Sequence, residues 1–235
     1  MNSWANVLAS PTYIINMDAC VDRYRITEER VRAAGYTDVR RFVAVDHRDC
    51  DLKTEWAKFG SPPFNPNDKE FVTYPGKQCC ELSWLGVLKT LIDEKIEWAT
   101  IFEDDVLFHK DWDKLAPLFW KNTPPVFDFC YLGAQIDWPG GTADISPAPA
   151  FCTHALVFNL AGAKALYSYI LSQKVYTIDC MIKDAVQMGK APFKHWVWNA
   201  SRFEDPKRIM PGGWTKRNAG LVFQDVTMGT FVREW

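Results

Sequence analysis

Residues 12–45, TYIINMDACVDRYRITEERVRAAGYTDVRRFVAV, contain the pattern that decides the fold class. The apolar run TYIINM at 12–17 is typical of a short buried strand, and RRFVAV at 40–45 predicts a second one. Between them, residues 22–34 place apolar side chains on one helical face, and Gly35 follows as a natural stop. Parallel strands need such a helical crossover, so the order strand, helix, strand indicates a βαβ unit. The stretch therefore predicts an α/β fold.

The rest of the chain continues the alternation of strands and helices. Further strands are predicted at 98–102, 127–132 and 151–158, and further helices at 78–95, 111–120, 160–171 and after Asp179. Asn159 is placed to cap the helix that begins at residue 160. The stretches 60–76 and 133–149 are rich in proline or glycine and predict long loops. Because no repeat or linker divides the chain, we expect one domain over residues 1–235.

The composition excludes several classes of protein. With 235 residues, 48% of them hydrophobic and 24% charged, the chain is not largely disordered. Its formal net charge of −2 argues against a nucleic-acid binder, which needs a basic excess. We expect no transmembrane segment and, because residues 1–13 lack the pattern of a secretory signal, a cytoplasmic location. The seven cysteines include no C-x-x-C pair, which favours reduced thiols.

Three consecutive carboxylates, Glu103-Asp104-Asp105, follow the apolar strand predicted at 98–102. Their mutual repulsion is costly near a sheet unless a cation is present, and oxygen ligands suit Mn²⁺ or Mg²⁺. Ligand sites of open α/β sheets lie at the carboxyl ends of strands, which is where this triplet falls. The alternative is a solvated acidic turn that precedes the next helix. The triplet thus indicates a candidate metal site.

The motifs that the sequence lacks narrow the kinds of ligand that such a metal could bind. The chain has neither a P-loop nor a G-x-G-x-x-G fingerprint, and it lacks H-E-x-x-H and G-x-S-x-G. A carboxylate-bound metal is the other main way in which an α/β domain holds a diphosphate, because the ion bridges the phosphoryl oxygens. A metal-bound nucleoside diphosphate is therefore the favoured ligand.

Several short segments together resemble one family. They are Ile15-Asn16-Met17-Asp18 followed by Arg23, Ala44-Val45-Asp46, the segment Gly76 to Trp84, Glu103 to Val106, Thr153-His154 followed by Gly162-Ala163, and Asp179. In this order and spacing they are similar to glycosyltransferase family 25, which includes lipopolysaccharide and procollagen galactosyltransferases. Two positions depart from the family pattern: Cys79 stands in place of a glycine and Trp84 in place of a histidine. We therefore expect a diverged acceptor specificity.

The resemblance implies a GT-A fold, a UDP-sugar donor, inversion at the anomeric carbon and a DxD-like manganese site. It implies Asp105 and Glu103 as metal ligands, with Gln224, Asp225 or water as a third. It also implies a donor-binding set of Asn16, Arg23, Asp46, Ser83, Glu103, Asp104, Gln135 and His154. The donor half would extend to about residue 110 and the acceptor half from about 111, with the two predicted loops shaping the acceptor site.

An inverting transfer needs a carboxylate that takes the proton of the acceptor hydroxyl. Asp179 opens a predicted helix and matches an aspartate of the family pattern, so we expect it to be this base. Asp184 is the rival, and helix capping is the alternative role of Asp179. Trp138, one of eleven tryptophans, is the aromatic residue best placed to stack on a sugar of the acceptor.

Two other functions use the same features. A nucleotidyltransferase or phosphotransferase could employ the same carboxylates and metal, but it would release pyrophosphate rather than UDP. A non-catalytic glycan-binding protein of the same fold would bind its glycan without the metal. The acceptor could be a glycan or a protein side chain, and the sequence leaves the donor sugar open, with galactose and glucose favoured.

Overall fold

The computed structural model describes residues 3–60, 75–137, 144–173, 177–199 and 216–229. In these ranges the helices are α1 (Trp4–Ala9), α2 (Val21–Ala33), α3 (Leu52–Ala57), α4 (Pro75–Asp93), α5 (Trp112–Asn122), α6 (Leu160–Ser172) and α7 (Ile178–Gln187). The strands are β1 (Thr12–Asn16), β2 (Val39–Val43), β3 (Trp98–Glu103), β4 (Val106–Phe108), β5 (Phe129–Asp137), β6 (Ile145–Ser146), β7 (Ala150–Asn159), β8 (His195–Trp198), β9 (Lys216–Gly220) and β10 (Val222–Gln224). Short 3₁₀ turns cover Asp18–Cys20 and Val226–Met228.

Eight of the described strands form one central sheet in the order β2-β1-β3-β7-β5-β8-β6, with β9 paired to β5. The pairings make β1, β2, β3, β5 and β8 run in one direction and β6, β7 and β9 in the other. The sheet is thus largely parallel in direction, and the predicted α/β class is confirmed. Since β1 pairs in parallel with both β2 and β3, the carboxyl ends of these three strands lie at one edge.

Helices cover both faces of this sheet, and alternate side chains of each strand enter opposite cores. In β1, Ile15 packs with the core of α4, α6 and α7, whereas Ile14 packs with the core of α1, α2 and α5. Asn159 caps α6 as predicted, because its Oδ1 accepts the Gly162 N–H at 2.7 Å. No helix in the described part of the chain is long and apolar enough to cross a membrane.

Tertiary pairing extends two regions beyond the sequence-based prediction. Strand β5 continues to Asp137, into the predicted loop 133–149, because β9 pairs antiparallel with its second half. The remaining part of that loop from 138 to 143, with Trp138, lies outside the described residues, as do residues 61–74 of the other predicted loop. Strand β10 pairs with β4 and brings Gln224 opposite Val106, directly after the carboxylate triplet.

The segment after β10 is attached to α2 by a buried ion pair. The carboxylate of Asp225 is fully buried and accepts a hydrogen bond from Arg30 Nη2 at 2.9 Å. The Asp225 backbone N–H donates to the carbonyl oxygen of Asp105 at 2.6 Å. This attachment holds the C-terminal described segment against the end of the triplet.

We expect Arg30→Ala to lower the free energy of unfolding by about 2 kcal/mol, because it removes the cation that faces a buried carboxylate. Arg32→Ala is the matched control on the same helix, since Arg32 pairs with Glu28 at the surface and should cost about 0.5 kcal/mol or less. Urea unfolding of the two variants measures the difference. Equal losses of stability would contradict the assignment of Arg30 and Asp225 as a buried pair.

Candidate active site

A pocket of about 180 Å³ opens at the edge where β1, β2 and β3 end. Its wall is completed by residues 44–48, the first turn of α2, one side of α4 and the end of β10. Eight residues singled out in the sequence line it: Asn16, Arg23, Asp46, Ser83, Glu103, Asp104, Asp105 and Gln224. They come from six separate segments that the sheet topology brings together. The site is therefore a product of the fold rather than of one local motif.

Asp104 is the centre of a hydrogen-bond network within the protein. Its Oδ2 accepts from Asn16 Nδ2 at 2.6 Å, and its Oδ1 accepts from Arg23 Nη2 at 2.5 Å. Asn16 is itself oriented by Arg41, whose Nη2 donates to Asn16 Oδ1 at 2.7 Å. Because both carboxylate oxygens are engaged, Asp104 positions Arg23 at the pocket wall and does not point a free oxygen into the pocket.

The side chain of Asp105 is largely buried, with 13% exposure, and the compensation of its charge is incomplete. Its Oδ2 lies 3.6 Å from Arg23 Nη2, while its Oδ1 is buried and has no hydrogen-bond partner in the described part of the chain. Burial raises the pKa of Asp105 to about 7, although the charge of Arg23 acts in the opposite direction. A buried carboxylate oxygen without a donor is costly, so this atom fits a position that a cation would contact.

Glu103 shares this environment. Burial raises the pKa of Glu103 to about 8, and the neighbouring charge of Asp105 adds to the increase. Thr153 Oγ1 donates to Glu103 Oε1 at 3.1 Å, and Gln224 Nε2 lies 3.4 Å from Oε2. Two buried carboxylates that destabilise each other's charge are an oxygen donor set suited to Mn²⁺ or Mg²⁺. Within the described ranges, no three His, Cys, Asp or Glu residues already form a metal-binding group.

An irregularity in β7 connects Glu103 to Asp179. The register between β5 and β7 shifts on both sides of Gly133, and Cys152 adopts a left-handed backbone conformation with φ of 65°. The Cys152 N–H donates to Asp179 Oδ2 at 3.2 Å, and the next residue is the Thr153 that holds Glu103. The charge of Asp179 also raises the pKa of Glu103. Asp179 thus lies close to the carboxylate end of the pocket, although it does not line the pocket itself.

Two residues of the predicted donor set lie outside the pocket. His154 donates from Nε2 to the Val222 carbonyl oxygen at 3.0 Å, and burial lowers its pKa to about 4. A neutral imidazole at this position donates Nε2–H and joins β7 to β10. Gln135 donates from Nε2 to Asn218 Oδ1 at 3.2 Å, across the β5–β9 pair. Both side chains therefore support the strands around the site.

The other end of the pocket is built from the residues that follow β2. The Val45 N–H donates to Ser83 Oγ at 2.9 Å, and the Ser83 hydroxyl donates to the Cys79 carbonyl oxygen at 2.6 Å. Asp46 accepts from the guanidinium of Arg48, which holds its pKa below the usual value. This end therefore offers backbone groups, a hydroxyl and an Asp–Arg pair.

Sequence reasoning missed two pocket features of α4, Cys80 and Trp84. In the resemblance to the family both are only parts of the segment Gly76 to Trp84, in which Trp84 departs from the pattern. Their positions four residues apart on a predicted helix were the available signal, because residues at this spacing share one face.

The chain was compared with protein families, with curated proteins and with solved structures. The model of a family described as glycosyltransferase family 25 (LPS biosynthesis protein) matches residues 9–139, more than half of the chain. No curated protein matches the chain. Among solved structures, the chain is similar to a glycosyltransferase involved in the glycosylation of the major capsid of PBCV-1, with 12% identity and a TM-score of 0.46 over 84% of this chain and 82% of that one. It is also similar to the apo form of mouse xyloside xylosyltransferase 1, with 9% identity and a TM-score of 0.45 over 81% of this chain and 85% of that one.

Proposed function

Since the chain belongs to glycosyltransferase family 25, we propose that it is a metal-dependent, inverting glycosyltransferase that moves a hexose from a UDP-sugar to a hydroxyl group of a glycan or protein. The observation that carries the proposal is the buried Oδ1 of Asp105, which has no hydrogen-bond partner among the described residues and lies beside Glu103 and Arg23 in one pocket. Anionic oxygens of the protein and a guanidinium at one strand edge suit a ligand that combines a diphosphate with a divalent cation.

Asp105 and Glu103 would hold the Mn²⁺ or Mg²⁺ ion, and Gln224 is the amide nearest to Glu103 that could contribute. When bound, the cation would neutralise charge on the departing nucleoside diphosphate. Arg23 would bind the same diphosphate from the protein side, because Asp104 and the carbonyl oxygen of Gly229 fix its guanidinium at the pocket wall. Its charge would favour the leaving group in the transition state.

Asp46 and Ser83 would form the nucleoside end of the site, and Asn16 would support its diphosphate side. Asn16 orients Asp104 and so acts on Arg23 indirectly. Asp46 and Ser83 lie at the opposite side of the pocket from Glu103, next to the residues that follow β2. Carboxylate and hydroxyl groups at a strand end are suitable partners for ribose hydroxyls and a pyrimidine ring.

Asp179 would take the proton from the acceptor hydroxyl as this oxygen attacks the anomeric carbon and the bond to UDP breaks. The carboxylate comes from a different element than the triplet and is anchored by backbone N–H groups, so its orientation is fixed. A base held in this way can accept a proton without the reorganisation that a mobile side chain requires.

Thermal unfolding with a panel of nucleotides, with and without Mn²⁺, tests the proposal. We expect one UDP-sugar to stabilise the chain only in the presence of the metal, by about 2.7 kcal/mol at a hundredfold excess over its Kd. Incubation with acceptor glycans should then release UDP. Stabilisation by nucleoside triphosphates with release of pyrophosphate would instead indicate a nucleotidyltransferase, and metal-independent stabilisation by glycans alone would indicate a glycan-binding protein.

A further inference from the structure

Trp84 is a buried residue of the pocket wall whose indole N–H has no acceptor among the described residues. The side chain is 1% exposed and lines the pocket, and its Nε1 is buried without a hydrogen-bond partner among the residues that the structure describes. Two other buried tryptophans satisfy this group within the protein. Trp56 Nε1 donates to Gln78 at 3.2 Å, and Trp198 Nε1 donates to Thr123 at 3.1 Å. An indole N–H that belongs to a pocket wall and has no acceptor among the described residues is available to donate to a ligand.

Cys80 and Trp84 lie on one face of α4, since they are four residues apart. Both line the pocket together with Glu103. Burial raises the pKa of the Cys80 thiol, and the charges of Glu103 and Asp179 raise it further. Trp84 therefore lines the pocket from the helical face that carries a residue close to the carboxylates.

The ring of Trp84 packs against β7. It lies 6.2 Å from the ring of Phe158, which is opposite Ala99 near the start of β3. The strand and the helix fix the plane of the indole, so that its N–H direction is determined before any ligand binds. Preorganisation of this kind makes a single hydrogen bond effective in selection between ligands.

We propose that the Trp84 Nε1–H donates a hydrogen bond to a hydroxyl oxygen of the transferred sugar, which makes Trp84 a residue that determines donor-sugar specificity. The proposal rests on the proposed function, since it needs a UDP-sugar in the pocket. A sugar is the part of that donor that reaches the carboxylate end, where the anomeric bond must break.

The test compares the Kd values of UDP and of the UDP-sugar in the presence of Mn²⁺ by calorimetry. In Trp84→Phe the ring and its packing are largely retained but the N–H is lost. We expect UDP to bind as before and the UDP-sugar to bind about three- to tenfold more weakly. A UDP-sugar that lacks the contacted hydroxyl should bind to the wild-type chain more weakly by the same factor. It should bind to Trp84→Phe about as well as the complete UDP-sugar binds to this variant.

Trp198→Phe is the matched control, because it removes an indole N–H that bonds within the protein. It should lower the melting temperature more than Trp84→Phe does and leave the ratio of the two Kd values unchanged. An unchanged ratio in Trp84→Phe would overturn the proposal, as would an equal weakening of UDP. If no UDP-sugar bound to the wild-type chain, the proposed function itself would fail.

A second measurement does not depend on the folding of the variant. In the wild-type chain with ¹⁵N-labelled tryptophan, one indole N–H resonance should move downfield with the UDP-sugar but not with UDP. Identical indole spectra for the two complexes would overturn the proposal.

Discussion

Asp105→Ala should abolish metal-dependent binding of the donor while leaving the chain folded and slightly more stable. The substitution removes a buried carboxylate whose Oδ1 has no partner in the described residues and whose pKa burial raises to about 7. Without the cation the charge of Asp105 destabilises the folded chain, so its removal should slightly raise the free energy of unfolding. With the cation, the substitution removes a ligand. Since outer-shell changes alone cost about 10–100-fold in metal affinity, the loss here should be about a hundredfold or more.

Calorimetric titration of UDP in Mn²⁺ measures the first effect, and thermal unfolding without metal measures the second. Asp111→Ala is the matched control, because Asp111 is a nearby carboxylate that does not line the pocket and lies 3.9 Å from Lys114. It should change neither quantity appreciably. Unchanged affinity for UDP in Asp105→Ala would show that the triplet does not hold a metal, and a large loss of stability would assign Asp105 a structural role.

The carboxylate end of this site could be predicted because its signal is local. An apolar strand followed by Glu103, Asp104 and Asp105 is informative by itself, since three adjacent charges are difficult to place beside a sheet. The parallel crossover over residues 12–45 then fixes the edge at which the triplet meets Asn16 and Arg23. Both arguments use only sequence neighbours and general rules of chain topology.

The different contacts of Asp104 and Asp105 could not be predicted from the sequence. Asp104 and Asp105 are adjacent and chemically identical, yet Asp104 binds Asn16 and Arg23, while one oxygen of Asp105 has no partner among the described residues. The difference arises because successive side chains leave the strand end in different directions. Only the packing of α2 against β1 decides which of them meets Arg23.

The backbone conformation and the side-chain contacts of β7 could not be predicted from the sequence either. Cys152 takes a left-handed conformation without the glycine or asparagine that usually marks one. His154, predicted to bind the donor, donates a hydrogen bond to the Val222 carbonyl oxygen of a strand that the sequence pattern did not indicate. Strands β9 and β10 are short and partly polar, and their pairing with distant strands determines them.

Asp179→Asn should lower kcat by about 10²–10⁴ while leaving the affinity for the donor nearly unchanged. Asp179 does not line the donor pocket, so UDP-sugar binding does not require it. Its Oδ2 and Oδ1 accept the N–H groups of Cys152 at 3.2 Å and Cys180 at 2.7 Å. Asparagine has one carbonyl oxygen and can keep only one of these bonds. We therefore expect a small loss of stability, about 1 kcal/mol, in addition to the loss of turnover.

The variant Asp184→Asn tests whether Asp184 rather than Asp179 is the catalytic base. The melting temperature of Asp179→Asn tests whether Asp179 only caps the helix. Asp184 lies on the same helix, pairs with Lys183 at 3.0 Å and has a side chain that is 44% exposed. Its replacement should leave both turnover and melting temperature close to those of the wild type. A pure helix cap at 179 would lower the melting temperature of Asp179→Asn without a comparable fall in kcat, once activity is measured well below the unfolding transition. If Asp179→Asn keeps near-wild-type turnover and Asp184→Asn loses it, the catalytic base is Asp184. The reason is that only the group that takes the proton of the acceptor hydroxyl limits the chemical step.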